Sequence, residues 1–458
     1  MAEARVIVIG AGPAGVRAAE ELAAAGLRPM VVDEGRRDGG QIYRRQPAHF
    51  TRGYDKLYGS EAARAASLHG AFDALRGKID YRSETLAWNI ADGHLHIVNG
   101  ERGERIPYSA LLICSGATDR LMPVPGWELA GVFSLGAAQI ALKSQACSVG
   151  RRVVFLGSGP LLYLVAYQYL MAGAGVAAVL DTARLRGQAA ALPKLLARPK
   201  LLRLGLSYMT ALRRAGVTLR SGVTPLGISG EAEDGVRGLA YLDAAGARHE
   251  LECDAVAMGH HLRPETQLAD LARCAFRFDP AARQWFPEVS EDGRSSVPGV
   301  YLAGDGARIL GAEGAENAGR LAALALLADM GRPVDAQRAA ALRREQHKME
   351  RFRQGLVQAF PWPTEQAARL PDQAIVCRCE CVTAGELRRT VHEMGVQEAN
   401  RAKAFSRVGM GRCQGRYCAQ AGAEVIAAAC GVPLEQVGRL RGQAPVKPLA
   451  IQTREEAA

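Results

Sequence analysis

Apolar and polar positions alternate along the first three hundred residues in a repeating order. Residues 5–10, RVIVIG, form an apolar run ending at a Gly-rich turn; an Ala-rich stretch of helical period follows, and a second apolar run closes in VVDE at 31–34. A buried parallel strand is apolar on both faces, whereas a helix carries one apolar stripe, so this order predicts a βαβ unit. The order returns at 151–181, from RRVVFLGSGPLL through a helix to VAAVLD. Between the two, LLICSGATDRLMPVPG at 111–126 predicts a strand and a Pro-punctuated crossing. The short alternating runs SGVTPLGISG and GLAYLDAAG suit an antiparallel meander. Another strand and crossing are predicted at 254–266, DAVAMGHHLRPET, and a buried strand ending in an acidic turn at 299–307, GVYLAGDGA.

The stretch from Leu161 to Leu180 is nearly all apolar and long enough to raise the question of a membrane span. Gly173 and Gly175 divide it into a helix and a short strand, as a βαβ unit requires, so no transmembrane segment is expected. Residues 335–360 are charged with a helical period, close at PWP, and read as a connector. Beyond it, Thr383 and Glu386 are spaced as a capping box that starts one helix, and a second runs from Cys418 to Gly431.

Composition changes the picture little. The 458 residues carry a net charge of +10, mostly Arg scattered through an Ala-rich sequence, with no stripe of basic and aromatic residues of the kind that marks a nucleic-acid groove. The first residues lack the basic and apolar regions of a signal peptide. Ten cysteines without an export signal favour reduced thiols or metal ligands. The expected compartment is the cytoplasm, with partners as the route to the inner face of a membrane.

Chemistry enters with those cysteines. Cys377 and Cys379 form a C-x-C pair, and after a gap of 33 residues Cys413 and Cys418 form C-x4-C. Four thiolates so spaced can close around one inorganic centre, and the tight first pair suits a 2Fe-2S cluster better than the C-x2-C knuckles usual for zinc, which stays the alternative. Cys381 is a third thiol beside the first pair, either ligand or spectator. Cys114, Cys147, Cys253, Cys274 and Cys430 read as small hydrophobes.

In GAGPAG, Gly10 permits a tight turn, Gly12 lets a pyrophosphate approach the backbone ahead of Pro13 and Ala14 at the helix start, and Gly15 lets helix and strand pack closely. Asp33 is spaced to accept from an adenosine ribose, and Glu34 is the alternative acid. Gly304 and Asp305 put a carboxylate at a strand end, in reach of a flavin ribityl hydroxyl. In the second motif Gly157 and Gly159 precede Leu162, where Gly or Ala normally permits close packing, and Asp181 closes the strand; NAD, ATP or an empty site are all open there. His260 and His261 either tune a flavin or form a solvated or packed pair at a loop. No C-x2-C lies in the nucleotide domains, which argues against a redox-disulfide reductase.

GAGPAG, GGQIYR at 39–44 with Gly40 and Gln41, ICSGATDRLMPVPG with Ser115 and Gly116, GSGPLL and the Gly-Asp turn follow the order of glutathione-reductase-like flavoproteins with two dinucleotide domains. More narrowly, together with CRCE and GMGRCQGRYC, the chain resembles the larger subunit of heteromeric opine and amino-acid dehydrogenases, which include opine oxidase A subunits, hydrogen cyanide synthase B subunits and hydroxyproline dehydrogenase relatives. That motif ends at CRCE, which selects Cys377 and Cys379 over Cys381. The resemblance implies an α/β fold: an FAD domain at 1–118 and 254–332, an inserted second dinucleotide domain at 119–253, a connector at 333–370, and a small helical 2Fe-2S domain of the bacterioferritin-associated ferredoxin type at 371–458. It also implies FAD and a 2Fe-2S cluster here and a smaller FAD-containing partner that oxidises the C–N bond; whether an FMN sits at a subunit junction is left open by the sequence. Electrons then leave this subunit for a quinone or cytochrome, and no residue here reads as a substrate base. The competing reading is a stand-alone NAD(P)H-dependent reductase of a ferredoxin-like acceptor.

Overall fold

Strands Arg5–Ile9, Met30–Val32 and Asp80–Arg82 lie parallel, with Ile7 opposite Met30 and Met30 opposite Asp80. In the computed structural model, which describes residues 5–47, 52–451 and 453–456, they form one side of an eight-stranded sheet. Strand Arg102–Ile113 is its spine: the last residues pair in parallel with Arg5–Ile9 and Val300–Leu302, while the first ones pair antiparallel with His94–Asn99. Alternation along the strands divides the core in two. Val6, Val8, Val31 and Leu112 face the helices Pro13–Ala24, Ala62–Asp73 and Gly311–Asp329, whereas Ile7, Ile9, Met30 and Leu111 face the antiparallel strands and residues around Leu268.

The second unit is a five-stranded parallel sheet in the order Thr218–Ser221, Val176–Asp181, Val153–Ser158, Ala255–His260, Val132–Ser134. An antiparallel meander of Thr224–Glu231, Gly235–Leu242 and Arg248–Glu252 covers one face, as the alternating runs predicted. One boundary moves. Strand Ala255–His260, assigned from sequence to the returning FAD segment, pairs with Val153–Ser158, so the inserted unit continues to about His260 instead of stopping at Cys253. A strand buried along its whole length suits the centre of either sheet, and only pairing across about a hundred residues decides between them. The chain crosses between the units on two short antiparallel strands, Ala117–Asp119 and Leu262–Pro264.

Helix Ala336–Ala359, capped by Asp335, whose Oδ1 accepts from Arg338 N at 2.9 Å, is the connector. The small domain follows. The capping box forms as read: Thr383 Oγ1 accepts from Glu386 N at 3.2 Å, and Glu386 Oε2 from Thr383 N at 2.7 Å. Its helices Ala384–Met394, Ala399–Ser406 and Ala419–Cys430 pack with Val376, Val382, Leu387, Val408 and Val425 into a separate core. Residues beyond Gln443 return to the first domain, where Val446 is buried, Lys447 pairs with Glu34, and Arg454–Glu456 lies parallel to Arg102–Glu104.

Candidate functional site

The first Gly-rich turn exists because no side chain fits there. A Cβ on Gly15 would stand 1.7 Å from Gly10 O, and one on Gly10, at φ +101°, would stand 2.4 Å from Cys114 O. The turn ends in helix Pro13–Ala24, whose first-turn amides have no partner within the helix and face outward as anion donors. Gly39 N donates to Ala11 O at 2.8 Å, which brings the GGQ loop over the turn until a Cβ on Gly40 would lie 3.0 Å from Gly12 Cα. Gln41 is exposed and accepts from Arg44 at 2.7 Å.

Asp33 is separated from Glu34 by geometry. Its Oδ2 accepts from Ala11 N at 2.5 Å and its Oδ1 from Gly35 N at 2.6 Å, and burial raises its pKa. Glu34 turns to Lys447 at the surface. The distant half of the cradle comes from the returning strand. A Cβ on Gly304 would lie 2.9 Å from Ala14 Cβ, and one on Gly306 2.7 Å from Ser115 Oγ, which donates to Glu265 O at 2.6 Å; Gly116 adjoins at φ +71°. Asp305 Oδ1 accepts from Leu310 N and Gly311 N at 2.9 and 3.0 Å, where helix Gly311–Asp329 starts. Oδ2 has no partner among the described residues, and burial pushes the carboxyl up to about 6. Gly10, Gly12, Gly15, Asp33, Gly40, Ser115, Gly116, Gly304 and Asp305 thus surround a side-chain-poor cradle rimmed by two acids, whereas Glu34 and Gln41 turn away from it. That fits an FAD, with pyrophosphate against the glycines and hydroxyls against Asp33 and Asp305.

The second motif does not form such a cradle. Gly157, at φ +144°, is needed because a Cβ would sit 1.8 Å from Gly259 O in the neighbouring strand. Above Gly159 lies the ring of His261, 3.1 Å from where a Cβ would be; His261 Nε2 is 2.8 Å from Phe360 O in the connector. Leu162 is fully buried in the core. Asp181 accepts from Tyr163 OH at 2.6 Å, Ala183 N at 2.8 Å and Gln188 Nε2 at 3.3 Å, and burial pushes its pKa up to about 7. Its carboxyl is spent inside the protein. Spacing along the sequence could not foresee this, because Tyr163 reaches Asp181 from the helix that Leu162 holds against the sheet. These residues do not fit an adenosine ribose and pyrophosphate. His260 is also buried, with neither ring nitrogen bonded among the described residues, and burial pushes it to about 3 and His261 to about 4. Both are packed and neutral at the connector, His260 edge-on to Trp362 at 5.6 Å.

The four motif cysteines converge. Cys377 and Cys418 belong to the small domain's core, Cys413 is half-buried and Cys379 exposed. The Cys418 sulfur neighbours those of Cys377 and Cys413, and Cys413 neighbours Cys379. These contacts push Cys377 down to about 6 and Cys413 to about 5, and hold Cys418 well above the usual thiol range. Glycine is required at 411, where a Cβ would stand 2.2 Å from Cys379 Cβ, and at 409, at φ +81°, against Leu440. Hence the GMG preceding the last pair.

Among the described residues, no three His, Cys, Asp or Glu side chains close around a single ion. The sulfurs instead run in a chain of contacts that opens on a cavity of about 250 Å³ walled by Trp127, Phe133 and Tyr417. An all-sulfur set of four in extended array fits a 2Fe-2S cluster better than a mononuclear zinc site. Cys381 lies in the turn at φ +53°, exposed, its sulfur directed to Arg378 O at 4.0 Å. Replacing Cys381 with serine is expected to leave iron and sulfide content unchanged in elemental assay; loss of half the iron would place it among the ligands. Of the other cysteines, Cys114, Cys253 and Cys274 are buried as expected, whereas Cys147 is exposed and Cys430 half-buried.

Of the residues that join the two sites, Arg263, Glu265, Arg283 and Glu424 escape the motif reading. Arg263 donates to Gly415 O and Arg416 O at 3.2 and 2.7 Å, Arg416 pairs with Glu265 at 2.7 Å, and Arg283 holds Glu424 at 3.0 and 2.7 Å. Glu265 O is also the acceptor for Ser115, so one residue touches the nucleotide cradle and the cysteine loop. The available signal was the charged RPE two residues after the fully buried strand Ala255–His260.

Known proteins resemble this chain in sequence and in fold. The pyridine nucleotide-disulphide oxidoreductase family pattern matches residues 4–338, and that of the BFD-like [2Fe-2S] binding domain residues 375–428. The chain is 36% identical to the opine oxidase A subunit of Rhizobium meliloti, over 97% of this chain and 86% of that protein. It is 34% identical to hydrogen cyanide synthase subunit HcnB of Pseudomonas aeruginosa, over 97% of both. Among solved structures, L-proline dehydrogenase from P. horikoshii superposes with a TM-score of 0.69 at 18% identity, over 98% of this chain and 78% of that one.

Proposed function

The chain belongs to the pyridine nucleotide-disulphide oxidoreductase family, with a BFD-like [2Fe-2S] binding domain, and we propose that it is the electron-transfer subunit of a heteromeric dehydrogenase acting on the C–N bond of an opine or amino acid. As an oxidoreductase carrying both sites it is equipped for two kinds of electron traffic, because flavin exchanges electrons in pairs or singly and an iron-sulfur cluster only singly. One observation carries the reading: Glu265 and Arg416 connect the dinucleotide cradle to the four-cysteine loop inside a single packed chain.

What the residues do follows from their chemistry. Asp33 and Asp305 orient hydroxyls, the first-turn amides take up negative charge, and the glycines keep side chains out of the cradle. Buried Val376, Val382 and Val408 shield the inner thiols from water, while Arg263 and Arg416 stand as cations beside an anionic four-thiolate centre. Substrate oxidation is assigned to a smaller FAD-containing partner, and a quinone or cytochrome-type acceptor takes the electrons; an FMN at the subunit junction is part of the same proposal. Among the described residues no helix is long and apolar enough to cross a membrane.

Two measurements test this. The purified chain alone is expected to show no amine dehydrogenase activity, and robust turnover without a partner overturns the division of labour. Because the second Gly turn is filled, NADH added without air should leave the flavin absorption unbleached; rapid bleaching would favour the stand-alone NAD(P)H-dependent reductase.

A further inference from the structure

The positive charge that looks scattered along the sequence is concentrated in one stretch. Between Asp181 and Glu231 there are nine Arg and Lys residues and no Asp or Glu, against a net +10 for the whole chain. Arg198 meets Glu313 and Glu345. The rest, Lys194, Lys200 and Arg203 among them, are exposed and have no carboxylate partner among the described residues. The same stretch displays leucine. Leu185, Leu192, Leu196 and Leu206 are 60, 45, 60 and 53% exposed, on the helices Leu185–Ala190 and Leu192–Leu195, on the residue after them, and on Pro199–Arg214. The 16-residue helix Pro199–Arg214 rests on its neighbour through Tyr208, stacked on Tyr167 at 4.7 Å, and fully buries only Leu212.

Single exposed leucines need no explanation. Leucines interspersed with unpaired cations, over a stretch that lacks any carboxylate, have the composition of a segment lying in a membrane interface. There the leucines enter the acyl boundary while Lys and Arg meet anionic headgroups. A protein partner fits less well, because charged residues and lysine are depleted at the core of protein interfaces. We propose that residues 184–214 form a peripheral docking surface for an anionic lipid bilayer. The inference is independent of what the prosthetic groups do.

Flotation of the full chain with vesicles of phosphatidylglycerol and phosphatidylcholine, against phosphatidylcholine alone, tests it. Binding is expected to the anionic vesicles at low salt and should weaken as salt screens the charges. Combined Lys194→Gln, Lys200→Gln and Arg203→Gln should lower the partition by roughly a hundredfold, at about fivefold per basic residue near such a surface. Leu196→Ser with Leu206→Ser should weaken binding while leaving its salt dependence. Every altered side chain is exposed, so an unchanged melting temperature accompanies both results. No flotation with anionic vesicles at low salt overturns the proposal, as does flotation that neither variant changes. Capture of an acidic subunit that the same substitutions release, without vesicle binding, would assign the surface to a protein and overturn it equally.

Discussion

Replacing Cys418 with serine removes the iron-sulfur contribution to the visible absorption of protein purified without air, leaving that of the flavin, and takes iron and acid-labile sulfide from about two of each per chain to near zero. The expected effect is large because Cys418 is the sulfur that both Cys377 and Cys413 contact, and it is built into the small domain's core. Serine is nearly the same size, so the helix Ala419–Cys430 should still form, which separates loss of the metal centre from loss of fold. Far-ultraviolet circular dichroism checks that separation. Cys253→Ser, at a buried thiol of the inserted domain, is the control and should retain full iron. Undiminished iron in Cys418→Ser, or zinc in place of iron and acid-labile sulfide in the parent protein, would remove the cluster and the electron-transfer reading with it.

Gly15→Ala is expected to abolish retention of flavin and to destabilise the first domain by about 3 kcal/mol or more, the upper range for overpacking. The added methyl would fall 1.7 Å from Gly10 O and 2.9 Å from Gly10 C, both backbone atoms of the turn it must pack against. Neither is the end of a flexible side chain, so the helix must move off the strand, opening the cradle. Gly26→Ala is the matched control. Gly26 has φ +79° but nothing within 4 Å of its would-be Cβ, so it carries only the left-handed backbone cost of about 1 kcal/mol. Flavin content after denaturing release and thermal melts read both variants. Full flavin in Gly15→Ala would mean that the fingerprint is not the dinucleotide cradle.

Both experiments probe features that short windows of sequence encode. A Gly-rich turn between an apolar strand and a helix, or four cysteines flanking a capped helix, is legible because each needs particular residues at fixed local spacing. The α/β architecture with two dinucleotide units and a small helical domain was legible for that reason. What was not legible depends on distant partners. Asp181 is correctly spaced after Gly157, yet Tyr163 claims its carboxylate, and Leu162, irregular for the motif, holds that helix in place. The preference for Asp33 over Glu34 follows from spacing, but the reason Glu34 faces away lies at Lys447, more than four hundred residues on. Likewise, the sheet that takes Ala255–His260 is set by a pairing that no local pattern announces.

The return of residues beyond Gln443 has a mechanical meaning. The small domain is anchored at one side by the connector and at the other by Val446, Lys447 and the strand pairing of Arg454–Glu456. A module strapped at both sides cannot behave as a swinging arm that ferries its cargo between stations. Separation of the two prosthetic positions is then a fixed constant of the architecture, and any docking protein must come to the cysteine-bearing face because that face cannot travel.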